Sequence, residues 1–212
     1  MSDNNTLFEF SNINNSNKSS LQRITGSGNK ECRNKNDFYA TPPNATISFL
    51  DTFHKKVGRF SESILEPSCG DGAISNILRN YNYNVHSTDL VDRGFCSESC
   101  GKDYDFLSQN YTNKIPIKNF DIITNPPFNI LTDYIIKATQ IAHKRVAIFA
   151  RLQILEGVAR YEKLYSNSDF PLAYVFQFVR RIACNGNGLI AFAWFVFEKE
   201  YKGNPQIFWI NN

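Results

Sequence analysis

Short apolar runs alternate along this chain with stretches whose apolar residues recur at helical spacing, the pattern of an α/β protein. Ile47, Leu50, His54 and Val57 mark a first helix behind Pro42-Pro43, with Asn44 or Thr46 placed to cap it. Ser63-Ile64-Leu65 reads as a buried strand. Ile74, Ile77, Leu78 and Tyr81 form the apolar face of a second helix, and Tyr83 to Ser87 a second strand. Phe120 to Ile123 is a third strand. Leu131, Ile135, Ala138 and Ala142 return to helical spacing, and Arg145 to Ala150 is a fourth strand. Arg151 to Tyr165 reads as one helix, with Leu155, Val158, Tyr161 and Tyr165 on one face. Two apolar strands follow, Ala173 to Val179 and Leu189 to Phe197. Between them Cys184-Asn185-Gly186-Asn187-Gly188 is a hairpin signal, which makes them antiparallel. Gln206 to Ile210 adds an edge strand, and Ser108 to Lys118 reads as a polar loop.

Composition modifies this picture at one end. Residues 1–36 are rich in Asn, Ser and Lys and poor in apolar residues, and are expected to form a largely disordered arm. Residues 37–212 have no composition break and are expected to form a single domain. The net charge of +3 is too small to imply a nucleic-acid partner, so any basic surface must be local. Lys18, Arg23, Lys30, Arg33 and Lys35 in the arm are candidates to trail across phosphates. Five cysteines, an odd number with no CxxC pair, do not make a disulfide framework. Cys96 and Cys100 can meet in a turn, but with no histidine nearby no metal is expected. Unpaired cysteines fit a reducing compartment. With no signal peptide and no long apolar run, the protein is expected to be soluble, without a membrane partner, and cytoplasmic in a bacterial or phage-infected cell.

Two stretches carry the chemistry. The strand ending at Ile123 runs into Asn125-Pro126-Pro127-Phe128. Two prolines remove two backbone donors and fix two φ angles, so the chain leaves the sheet as a stiff, extended loop. Asn125 is held at the strand tip with the flat ring of Phe128 beside it, a pairing suited to a planar base with an exocyclic amine. Upstream, Glu66-Pro67-Ser68-Cys69-Gly70-Asp71-Gly72 joins the first strand to the second helix, and its glycines let a ligand approach the backbone closely. Its spacing is neither the dinucleotide fingerprint nor the phosphate-binding loop. An acidic residue just past the second strand, about 20 residues beyond such a turn, binds ribose hydroxyls in Rossmann-type sites. Asp89 stands near that offset, and Asp92 is the next candidate.

Together these stretches resemble the S-adenosylmethionine-dependent N6-adenine DNA methyltransferases, the phage-encoded members most of all, from about Arg33 to Ile210. The resemblance implies a Rossmann-like methyltransferase fold: a mixed seven-stranded sheet with an antiparallel C-terminal hairpin and helices on both faces. It implies S-adenosylmethionine as cofactor. Phe38, Tyr39 and Thr41, matching the family's aromatic-x-Thr-Pro segment, would contact its methionine end. Glu66, Pro67, Ser68, Gly70 and Gly72 would cradle it, with Glu66 compensating its positive charge. Asp105 and Phe106 would take its adenine, unless the assignment slips to Asp103 and Tyr104. Asn125, Pro126, Pro127 and Phe128 would hold the target adenine, flipped from a DNA duplex. Arg151, Leu155, Glu156, Gly157 and Arg160 resemble a phage-family block near the substrate entrance, and Arg151, Arg160, Arg180 and Arg181 are candidates for phosphate contacts. The separate target-recognition domain of many restriction-system relatives has no counterpart in these residues.

Two other readings stay open. The same motif occurs in N-methyltransferases that act on RNA bases or on a translation-factor glutamine, although those generally carry Tyr as the aromatic and an added N-terminal domain. A non-catalytic nucleic-acid-binding module could also keep the fold without the chemistry.

Overall fold

Seven strands build one sheet in the order β2-β1-β3-β4-β6-β5-β7, where β1 is Ser63–Glu66, β2 Asn84–Ser87, β3 Asp121–Thr124, β4 Arg145–Arg151, β5 Leu172–Phe178, β6 Phe192–Glu198 and β7 Gln206–Ile210. The computed structural model describes residues 38–96, 99–167, 169–184 and 190–211. The polar arm, 1–36, and the hairpin tip, 185–188, therefore lie outside the described residues. β1 pairs in parallel with β2 and β3, and β3 with β4. β6 runs antiparallel to both β4 and β5, and β7 returns parallel to β5. The expected mixed sheet with an antiparallel C-terminal pair is thus observed.

The alternation of side chains along each strand divides the core into two layers. Ala147 and Phe149 of β4 face one layer with Phe176 and Trp194. Helix α1 (Pro43–Lys56) adds Phe49, Leu50 and Phe53 to it, and α2 (Ala73–Asn80) adds Ile74, Ile77 and Leu78. Val146, Ile148 and Ala150 face the other layer, where α3 (Leu131–Ile141) contributes Leu131, Tyr134, Ile135 and Ala138. Every residue of β6 is buried, as expected for a strand between two neighbours and covered on both faces. Trp194 stacks on Phe49 at 4.5 Å and donates its indole N–H to the Ala45 carbonyl at 3.0 Å. This anchor sets the start of α1, and through it the segment Phe38–Thr41.

A buried polar cluster ties together the amino ends of the central strands. Asp121 accepts from the backbone N–H groups of Ser61, Lys144 and Arg145. Arg145 makes a two-pronged pair with Glu198, at 2.9 and 3.1 Å, and donates a third bond to the Arg59 carbonyl. Removing one partner of a buried pair leaves the other charge uncompensated. Arg145→Ala is therefore expected to destabilise the fold by about 3–5 kcal/mol in urea denaturation, and a loss below about 1 kcal/mol would contradict this role.

Three expectations need correction. Neither Asn44 nor Thr46 caps α1: the helix begins at Pro43, whose fixed φ suits the first turn, and Thr46 is buried in the core. Ser108 to Lys118 is not simply loop, because a 3-10 turn at Tyr111–Lys114 buries the Tyr111 ring, whose hydroxyl pairs with Thr88 at 2.6 Å. Arg151 to Tyr165 is not one helix. Arg151 ends β4, Leu152–Leu155 is a 3-10 turn, and Gly157 (φ 113°) interrupts the chain before the short helical turns Val158–Arg160 and Tyr161–Tyr165. Ile154 and Leu164 point inward instead, while Leu155, Val158 and Tyr161 are exposed.

Candidate functional site

The carboxyl ends of β1, β2 and β3 open on a cleft of about 800 Å³, part of it facing solvent. It lies where the strand order reverses, with β1 between β2 and β3, the position at which open α/β sheets bind ligands. Phe38, Tyr39, Thr41, Glu66, Pro67, Ser68, Asp89, Asp105, Phe106, Asn125 and Pro127 all line it. One concave surface therefore brings together residues drawn from 90 positions of sequence.

The turn after β1 forms one wall. Gly70 and Gly72 have φ of 57° and 84°, which side chains other than glycine's rarely adopt. A Cβ on Gly70 would also run into the Phe38 ring, and one on Gly72 into Phe95. These glycines are not themselves lining residues; they shape the loop that is. The Gly70 N–H donates to Asp89 Oδ2 at 2.8 Å, and Val91 N–H to Asp89 Oδ1 at 2.9 Å. Asp89 thus joins the end of β2 to the glycine turn while facing the cleft. Asp92 is exposed, accepts from Gly94 N–H and does not line the cleft.

Glu66 is almost fully buried at the end of β1 and accepts a hydrogen bond from the Ser75 hydroxyl. Burial holds its carboxyl well above the usual carboxylate range, against the opposing pull of the Ser75 bond, and Asp89 pushes the same way as burial. Ser68 pairs with the buried Tyr134 hydroxyl at 2.7 Å, and the Tyr134 ring lies 4.2 Å from that of Phe106. Phe106 is buried, and Asp105 accepts from the Leu107 N–H at 3.0 Å. Tyr104 also lines the cleft, whereas Asp103 is solvent-exposed and pairs with Lys114 at 3.2 Å.

Asn125 lines the cleft just past β3, the strand that pairs with β1. Its Nδ2 donates to the Tyr39 carbonyl and to Thr41 Oγ1, each at 3.0 Å. A backbone carbonyl can only accept, so the amide must turn its nitrogen that way, leaving Oδ1 as its remaining acceptor. Phe128 stacks on Tyr39, with ring centres 5.7 Å apart and planes 21° apart, and the Arg151 guanidinium sits 4.8 Å from its centre. Pro126 and Phe128 do not line the cleft; Phe128 packs partly against the core.

The four arginines differ in their surroundings, and the pairing of β6 with both β4 and β5 puts Arg151 at the same edge of the sheet as the end of β5, just before Arg180 and Arg181. Arg151 lies at the asparagine motif, and its Nε is buried without a partner. Arg160 folds back on its own turn, donating to the Gln153 and Glu156 carbonyls. Arg180 and Arg181 are exposed beyond the end of β5. Sequence reasoning missed Tyr134, which reads as a core residue one turn beyond Leu131, and Arg93, whose guanidinium lies 4.2 Å from the Phe38 ring centre. Arg93 carries no signal of its own, being one polar residue of a turn. His54, on α1, pairs with the Tyr83 hydroxyl at 2.7 Å and does not line the cleft. Among the described residues, no helix is long and apolar enough to cross a membrane.

Neither a protein-family model nor a curated protein matches this sequence. Solved structures do match in fold. A Listeria monocytogenes protein provisionally described as a class I S-adenosylmethionine-dependent methyltransferase is 12% identical, with a TM-score of 0.56 over 92% of this chain and 71% of its own. The type I restriction-modification methyltransferase subunit of Streptococcus thermophilus is 15% identical, with a TM-score of 0.54 over 77% of this chain and 45% of its own. The DrdV–DNA complex aligns at 9% identity, with a TM-score of 0.53 over 92% of this chain and 28% of its own. The chain thus spans less than half of the restriction-modification subunit it matches. At these identities the likeness is one of fold, and the fold is the Rossmann-like fold of the class I S-adenosylmethionine-dependent methyltransferases.

Proposed function

We propose that this protein transfers a methyl group from S-adenosylmethionine to the N6 amine of an adenine in DNA. The observation that carries the reading is the fixed orientation of Asn125, whose nitrogen is held by Tyr39 and Thr41 and whose Oδ1 is left to accept. The N6 lone pair of adenine is delocalised into the ring. Two acceptors on its protons, Asn125 Oδ1 and the Pro126 carbonyl, favour a tetrahedral nitrogen with a localised pair. The sulfonium of the cofactor is already an activated donor, so the protein contributes chiefly by setting nitrogen, methyl and sulfur in line. With the cofactor bound, the N6 nitrogen would take the methyl group as the donor sulfur keeps the electrons of the carbon–sulfur bond, and the amine's proton would leave to water. An adenine inside a duplex cannot reach this cleft and must be flipped. It would meet Phe128, replacing the Tyr39 ring contact, a stack worth on the order of 1–3 kcal/mol. Arg151, beside Phe128, is the arginine best placed to meet the flipped nucleotide or its phosphate. The restriction-modification subunit and the DNA complex among the structural relatives support DNA as the substrate.

In this reading Glu66 faces the cationic cofactor and Asp89 the ribose. Glu66 then gives a pH signature. Its folded-state pKa is raised, so its contribution to stability is complete below the unfolded pKa and is lost as pH rises through the folded one. Ligand-free protein should lose thermal stability over that window, and Glu66→Gln should flatten the profile. Cofactor affinity should rise over the same window in the parent protein only. Equal pH slopes for the two proteins would contradict the assignment.

The substrate class is tested by offering labelled S-adenosylmethionine with DNA, RNA and protein from unmodified cells. Label is expected in DNA. Label in RNA or protein, with DNA unlabelled, would replace this reading by the RNA-base or glutamine alternative.

A further inference from the structure

Behind the glycine turn three cysteines converge from two segments. Cys69 lies within the turn, and Cys96 and Cys100 lie in the loop after β2. Their sulfurs all fall within 4.8 Å of one another; Cys69 Sγ is 3.2 Å from Cys96 Sγ, and those of Cys96 and Cys100 are in bonding contact. Cys69 and Cys96 are buried and Cys100 is half-buried.

The backbone holds the group in place independently of the sulfurs. Cys69 N–H donates to the Thr88 carbonyl at 3.0 Å, which registers the turn against the end of β2. Asp89, the next residue, forms a parallel bridge with Cys100, and Gly101 N–H donates to the Asp89 carbonyl at 3.0 Å. Ser99 N–H closes the loop onto the Cys96 carbonyl at 2.7 Å.

We propose that Cys69, Cys96 and Cys100 form a thiolate site for a soft divalent cation of the zinc class, with a fourth position left to water or a further donor. Three thiolates at about 2.3 Å from a tetrahedral zinc stand about 3.8 Å apart, so Cys69 and Cys96, at 3.2 Å, need open only slightly, whereas Cys96 and Cys100 must part from bonding contact to take up the ion. Cys96 and Cys100 are separated by three residues, within the usual ligand spacing of structural zinc sites. A disulfide between those two would leave the Cys69 sulfur against them with no role, whereas a cation uses all three. Thiolate donors select zinc over magnesium or calcium.

A dithiol reductant of the reducing compartment supplies two electrons and two protons to the Cys96–Cys100 bond and is itself oxidised to a disulfide. The three thiols then lose three protons as three metal–sulfur bonds form. The bound ion would pin the loop after β2 to the glycine turn and so stiffen two walls of the cleft. This departs from the sequence expectation of no metal, which rested on the missing histidine; three sulfurs brought together by the fold need none.

The test uses the full chain, purified in reducing buffer, with metal content measured and Co²⁺ added to the metal-free protein. The expected result is about one zinc per chain and an intense thiolate-to-cobalt charge-transfer band, both lost in Cys96→Ser and Cys100→Ser and kept in Cys184→Ser. Cys184 is buried away from the cluster and serves as the control. Should either serine variant fail to fold, the cobalt spectrum of the parent protein decides alone, because its intensity reports how many thiolates bind. No charge-transfer band, or a Cys96–Cys100 bond that survives the reductant by intact mass, would overturn the proposal.

Discussion

Replacing Asn125 with alanine is expected to lower the rate of methyl transfer by about 10²–10³-fold, the usual effect of deleting one preorganised hydrogen-bonding group at a reacting centre. Cofactor affinity should fall by no more than about tenfold, because Asn125 reaches the cofactor side only through its hydrogen bonds to Tyr39 and Thr41, each worth about 0.5–1.5 kcal/mol, while Glu66 and Asp89 are untouched. The prediction follows from the direction of one amide. Its nitrogen is occupied by the Tyr39 carbonyl and Thr41 Oγ1, so its oxygen faces the donor to come. Asn125→Asp separates the two halves of this role. A carboxylate keeps an acceptor for the target amine but cannot donate to Tyr39, and it sets two oxygens against each other. That variant should be slow at neutral pH and recover as pH falls and the acid regains a proton to donate. The check is single-turnover transfer across pH with saturating cofactor. Full activity in the alanine variant would remove Asn125 from the mechanism.

The second large effect concerns the cofactor. Asp89→Ala is expected to weaken S-adenosylmethionine binding by about 10²-fold, measured by calorimetry. The variant loses two charge-assisted bonds to Gly70 and Val91, each worth about 1.5–3 kcal/mol, and with them the proposed ribose acceptor. Asp92→Ala should stay within about twofold, as an exposed side chain outside the cleft. The reverse outcome, with Asp92 mattering and Asp89 not, would move the ribose role to Asp92. Asp89→Asn distinguishes loop support from ribose binding: it keeps one acceptor oxygen for the loop but turns a donor toward the other partner.

Why so much of the cleft was legible lies in the local chemistry of a few positions. Prolines at 126 and 127 force the chain out of the sheet wherever they stand, so the placement of Asn125 at a strand tip follows from residue type alone. Glycines 70 and 72 announce a turn that side chains cannot follow, and both adopt positive φ. The strands fall where apolar runs are bounded by such breakers. What failed was decided at a distance. Leu155, Val158 and Tyr161 share a helical face in sequence, yet Gly157 and the end of β4 leave no continuous helix to present it. Thr46 resembles a cap, but Pro43 takes the first turn and the tilt of α1 onto Trp194 buries the threonine. Tyr134 is indistinguishable in sequence from a core residue, and only the approach of Ser68 from another segment makes it a wall of the cleft. The cysteines are the clearest case. Their spacing carries no recognised pattern across 69, 96 and 100, and it is the pairing of β1 with β2 that brings them together.

The central claim is that the cleft methylates adenine N6 in DNA. It is tested most directly by incubating the full chain with S-adenosylmethionine and unmethylated duplex DNA, digesting the product to nucleosides and identifying the methylated species by mass. The account predicts N6-methyldeoxyadenosine, absent when Asn125 is alanine. Cofactor binding with no methylated adenine in the DNA would contradict it.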